Sequence, residues 1–150
     1  MTVSDPPPED RALLAVTAAL LETGRGVDAL ARPLTVLAFA GLLVRTIAPV
    51  PSASLGALFV AALAGLAACY VGARVAFDAG LFTRLPREIG GLGSLDRALT
   101  TLGVLPDGKA GRPLGDRVAG ATRLLRRQLA WFAVQIAALL LAGAAALPRP

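Results

Sequence analysis

The 150-residue chain has no histidine and a single cysteine, Cys69. Those two shortages remove most compact site chemistry. A serine nucleophile activated in the usual way needs an imidazole base. A zinc site of the usual ligand set needs several Cys or His, and an intramolecular disulfide needs a second thiol. Aromatic residues make up only 5% of the chain, and none stands among the basic residues, so nucleic-acid bases would find no rings there to stack on. We therefore expect no catalysis, no cofactor, no metal and no nucleic-acid partner.

What the chain has is apolar length. Hydrophobic residues are 55% of it, above the usual share of a soluble domain. With so few rings, that mass is mainly Ala, Leu and Val interleaved with Gly. Small side chains let helices approach closely in a bilayer, where lipid tails remove the hydrophobic drive between them. The N-terminal MTVSDPPPED is acidic and proline-rich and lacks the positive n-region of a secretory signal. We expect no cleaved leader and a first span that doubles as the targeting signal.

The expected fold is all-α, an integral membrane protein with three transmembrane helices, an N-terminal amphipathic helix and a helical cytoplasmic loop. Residues 1–32 form the cytoplasmic or interfacial segment. Within it, Leu13, Val16, Leu20 and Leu21 recur at helical spacing over 9–23, and Gly24 and Gly26 punctuate the helix. That helix either packs on the protein or lies in the membrane interface. The membrane domain covers 33–147, with spans at about 33–50, 54–76 and 129–147, close to the roughly 20 apolar residues a spanning helix needs. The uncharged PVPSAS turn makes the first two spans antiparallel neighbours.

The connection 83–127 carries nine basic and four acidic residues, so the whole net charge of +5 resides there. Ser94 is placed to cap a short helix with Leu95, Leu99 and Leu102 on one side, ended by Gly103. A long helix then starts at Pro113 or Asp116, with Leu114, Val118, Ala121, Leu125 and Leu129 on one face, and runs unbroken into the third span past Trp131. The first turn has no basic residue. The distribution places the N-terminus and the basic loop in the cytoplasm of a bacterial inner membrane, and the C-terminus outside. Arg84, Arg87, Arg123, Arg126 and Arg127 are candidate contacts for anionic lipid headgroups.

Polar residues close to the spans are the remaining candidates. Arg45 can snorkel from the end of span one. Arg74 and Asp78, four apart, share a helix face and can pair, either as an anchor at the membrane edge or as a contact to another helix or a lipid phosphate. Gln135 can hydrogen-bond across helices inside span three. In span two, Ala57, Ala61, Gly65 and Cys69 form one row of small residues, and Ala64, Ala68, Gly72 and Ala76 another. The rows serve helix packing within or between subunits, or simply reflect an alanine-rich composition. Residues 103–109, GVLPDGK, share the spacing of a phosphate loop, but Ala110 replaces the magnesium-binding hydroxyl and no strand precedes it.

The segment YVGARVAFDAGLF, the LDRAL helix and the ATRLLRRQ approach to the last span resemble a group of small proteobacterial multi-pass membrane proteins. The resemblance covers roughly residues 70–130 and implies membrane location without an activity. The function expected from these features is that of a small accessory or assembly protein. Its partners would be membrane lipids and another membrane protein or a second copy of itself. A holin-like permeabilising protein and a lipid-binding protein are the alternatives.

Overall fold

The computed structural model describes residues 7–44, 47–49, 51–84, 92–103 and 111–147. Four helices follow in order: α1 (Pro8–Val44), α2 (Ser52–Arg84), α3 (Leu92–Thr101) and α4 (Leu114–Ala146). α1, α2 and α4 are each long and apolar enough to cross a membrane. At about 1.5 Å per residue they run roughly 50–55 Å, well beyond the ~30 Å of a hydrocarbon core. The molecule is a small all-helical multi-pass membrane protein with one shorter helix outside the spans.

α1 starts where the sequence favours it. Pro8 stands first, where its missing N–H is no loss, and Glu9 and Asp10 complement the helix dipole. The expected break at Gly24 and Gly26 does not occur, so the N-terminal amphipathic helix and span one are a single 37-residue helix with Pro33 inside it. Gly24 is buried at a close helix contact instead of ending the helix. The inward face overlaps the expected one only at Leu21. Leu14, Thr17, Leu21 and Gly24 are buried, while Leu13, Val16 and Leu20 are exposed. Helical periodicity of 3.6 picked the leucines, whereas the bundle follows a heptad.

That heptad runs through all three long helices. On α4 the buried positions include Ala121, Gln128, Gln135 and Ala142. On α1 they include Thr17, Gly24, Ala31 and Ala38. On α2, Ser54, Ala61, Ala68, Val75 and Phe82 repeat at the same interval, with Gly65, Gly72 and Ala79 beside them. A seven-residue repeat of inward positions keeps one seam of each helix facing its partners along its length. α2 is the central member, packing on both α1 and α4, which touch each other less.

The two ends of the bundle are built differently. At the end holding α3, the core is Leu14, Leu21, Val71, Val75, Ala79, Phe82, Leu99, Ala121 and Leu125, with Trp131 packed against it. Exposed charges surround it, among them Arg25, Arg74, Arg123, Arg126 and Arg127. At the other end the core shrinks to Ala38, Ala61, Ala62 and Ala138. There the outer surface is apolar, including Val36, Leu37, Phe59, Leu63, Leu140 and Leu141. Water drives burial of large side chains at the first end. In lipid, close contact of small residues replaces that drive.

α3 begins at Leu92, two residues before Ser94, and buries Leu99 while leaving Leu102 exposed. Gly103, at φ +65°, ends it in the left-handed region that suits glycine. An ionic clasp holds it to the start of α4. Asp96 accepts from the Gly111 amide at 2.8 Å and from Arg117 Nη2 at 2.6 and 2.8 Å. The Gly111 N–H, then Arg117, hold the Asp96 carboxyl below its usual range against an opposing push from burial. The sign follows from linkage: the contribution is full above the ordinary carboxylate range and is lost as pH falls through the lowered value. Asp96→Asn is expected to loosen the clasp by about 1–3 kcal/mol. Faster amide exchange at Gly111 and Leu99, with exchange in α2 unchanged, is the readout; unchanged exchange at Gly111 would count against the clasp.

Candidate functional site: a polar seam between the long helices

Close packing on glycines brings polar groups of three helices to one interior line. Gln128 and Gln135 are the largest fully buried polar side chains, each 0% exposed. The Gln128 amide donates from Nε2 to the Gly24 carbonyl at 2.9 Å. Two turns further along α4, roughly 10 Å deeper, Gln135 Nε2 donates to the Ala31 carbonyl at 3.1 Å and to Thr35 Oγ1 at 3.0 Å. Thr35 in turn donates to the Ala31 carbonyl at 2.7 Å. Near the far end, Ser54 Oγ donates to the Ala142 carbonyl at 3.2 Å.

α2 contributes the room. A Cβ on Gly72 would stand 2.7 Å from Gln128 Nε2 and 3.1 Å from Asp28 Oδ1. A Cβ on Gly65 would collide with Thr35 Oγ1 and with Gln135 Nε2 at 2.5 Å, and one on Gly24 would stand 2.9 Å from Gln128 Oε1. Each glutamine thus fills a notch left by a glycine. Cys69, between the two notches of α2, lies beside Thr35 and Asp28. Asp28 completes the line. Its Oδ2 pairs with Arg32 at 2.5 Å, and its side chain is 16% exposed while that of Arg32 is 68% exposed. Its Oδ1 points into the protein without a partner among the described residues.

The residues singled out from the sequence fall in three places. Gln135, Gly65, Cys69 and Gly72 meet in the seam. Ala61 is buried in the small-residue core and Ala57 is half-buried. Both small-residue rows of α2 face the protein's own helices. Arg74 and Asp78 do not form the expected contact pair: Arg74 lies over the Tyr70 ring, 5.7 Å from its centroid, with Asp78 still within its electrostatic reach. The ring face offers the guanidinium a partner on the preceding turn. Arg84, Arg123, Arg126 and Arg127 are exposed at the α3 end. Arg45, Arg87 and residues 104–110 lie outside the described residues.

Gln128, Asp28 and Thr35 escaped the sequence reading. Leu129 shares a predicted helix face with Leu114, Val118, Ala121 and Leu125, yet it is exposed and its neighbour Gln128 is buried. The usable signal was the interval: Gln128 and Gln135 are seven apart, as are Gly65 and Gly72, and Asp28 and Thr35. Chemically, the seam offers carbonyl, amide and carboxylate oxygens in an interior closed to bulky ligands. Comparison of the chain with family models, with curated proteins and with solved structures finds no match.

Proposed function

We propose that this is a small inner-membrane accessory or assembly protein. It acts without catalysis, through helix–helix contacts with another membrane protein or a second copy of itself. The observation that carries this reading is the outer face of α2. Phe59, Leu63, Leu66, Tyr70 and Phe77 are all exposed, as is Ala73. Their spacing alternates four and three residues, the interval of a helix-pairing seam. The same spacing recurs on α1, at Val36, Phe39 and Leu43, but what marks the α2 row is its exposed aromatics, Phe59, Tyr70 and Phe77, rings of the kind that anchor interfaces. α2 therefore carries two seams, one used internally and one outward.

Orientation belongs to the same reading. The N-terminal half of α1, the end of α2, α3 and the start of α4 gather at one end of the bundle, with Arg25, Arg84, Arg123, Arg126 and Arg127 exposed there. The bias of basic residues supports a cytoplasmic location for this end. It also supports contact with anionic headgroups, at about 1 kcal/mol per well-placed arginine.

A photo-reactive residue at position 63 or 70 tests the reading in intact membranes. A discrete adduct is expected there and not at position 140, with mass identifying a second copy or another membrane protein. Phe59→Ala combined with Phe77→Ala should lower the yield at least fivefold. Lipid adducts alone at all three positions would overturn the assignment.

A further inference from the structure

The unpartnered buried atoms of the seam are all of one kind. Among the described residues they are Asp28 Oδ1, Gln128 Oε1 and Gln135 Oε1, three acceptor oxygens. The amide nitrogens of both glutamines are already engaged by the Gly24 and Ala31 carbonyls and by Thr35. Buried atoms left unpartnered that are all lone-pair acceptors are set up to receive a positive charge or a proton, with the Cys69 thiol as the neighbouring S–H donor on α2.

We propose that the seam is a binding site for a small monovalent cation, a proton or an alkali ion, held at the level of Asp28 Oδ1 and Gln128 Oε1. Sign excludes anions, because the free groups are lone pairs. Size excludes organic ligands, because not even a methyl fits at Gly24, Gly65 or Gly72 without side-chain movement. Charge excludes the divalent ions: these hard cations take six or more oxygens, commonly from several carboxylates, and here one carboxylate is present and already shares its charge with Arg32. What remains is a proton, which needs no volume, or an alkali ion that displaces one glutamine rotamer.

The surroundings set how strongly such a cation is held. On its own helix Asp28 faces Arg32; on α2 it faces Cys69 and Gly72; on α4 it faces Gln128, which is uncharged. Arg32 is the competing cation, and its guanidinium is mostly in solvent. The partial exposure of Asp28 leaves the site open to the protein surface. The site is independent of the outer face of α2, so each assignment can fail without the other.

The test uses the full-length protein in lipid nanodiscs. Infrared difference spectra across pH read carboxyl protonation. Thermal unfolding in sodium, potassium and choline chloride at constant ionic strength reads alkali binding. A reversible carboxylic-acid band absent from Asp28→Asn identifies a proton. A saturable rise in Tm with sodium or potassium over choline, absent from Asp28→Asn, identifies an alkali ion. Arg32→Gln leaves the buried packing untouched and is expected to move the responding midpoint about tenfold toward lower cation concentration. Wild-type indifference to both pH and ion identity, a response that survives in Asp28→Asn, or a midpoint unmoved in Arg32→Gln would overturn the proposal.

Discussion

Gly65→Val is expected to break the three-helix packing while leaving each helix able to enter the membrane. The first added carbon would already collide with Thr35 Oγ1 and Gln135 Nε2. Valine adds two more carbons at a position enclosed by α1 and α4, and its branched side chain has little χ1 freedom to avoid them. Overpacking of a tight interior costs about 1–3 kcal/mol. Here the upper end applies, because pushing α2 outward also separates Gln135 from Ala31 and Thr35. The loss should appear as a lower midpoint in detergent-driven unfolding followed by circular dichroism and by Trp131 fluorescence. Gly80→Val and Gly143→Val are the controls, since a Cβ at either meets nothing within 4 Å. A Gly65→Val midpoint equal to theirs would mean that the notch is not holding the bundle together.

Gln128→Glu should be nearly as damaging, for an electrical reason. It is close in shape to glutamine but puts a second carboxyl beside Asp28 in a fully buried position. It also turns the donor to the Gly24 carbonyl into an acceptor facing an acceptor. An uncompensated buried charge costs about 3–5 kcal/mol. The variant's stability should recover as pH falls, because protonating either carboxyl removes the repulsion. Gln128→Leu, in contrast, deletes the hydrogen bond and the unpartnered Oε1 together, and is expected to change stability by about 1.5 kcal/mol or less. Unfolding midpoints of the two variants across pH separate charge from hydrogen bonding. Equal behaviour of Glu and Leu at neutral pH would show that position 128 is not in a dry interior.

Both predictions rest on groups that hydropathy ranks poorly. The number of spans, the continuous last helix past Trp131, and the start of α1 at the proline run were legible, because length and composition are local properties. The inward faces were less so. On a 3.6-residue wheel Leu129 looks like a core residue, and Gln128 looks like surface. In a bilayer the outside is as apolar as the inside, so a leucine gains nothing by turning inward, whereas a glutamine that can reach a backbone carbonyl does. Polarity is then the inward signal, read at a seven-residue interval.

The arginine and aspartate near the end of α2 carry the same lesson from the other side. Spacing put Arg74 and Asp78 on one face, which i,i+4 geometry permits. Tyr70, one turn earlier, offered the guanidinium a ring surface instead, and only atomic placement could choose between them. The short α3 is intermediate. Its helical tendency and its end at Gly103 were readable, but the clasp from Asp96 to Arg117 joins residues 21 apart in sequence and depended on how the chain folds back.

By itself, the sequence determined that this protein is helical, that three of its segments are long and apolar enough to cross a membrane, and that its net charge lies in the connection before the last of them. Each of these follows from composition within a single segment. The tertiary structure decided which small residues are notches, which glutamines fill them, and that Asp28 turns one oxygen inward. Those are relations between helices, set by how closely three backbones can approach where glycine leaves a gap.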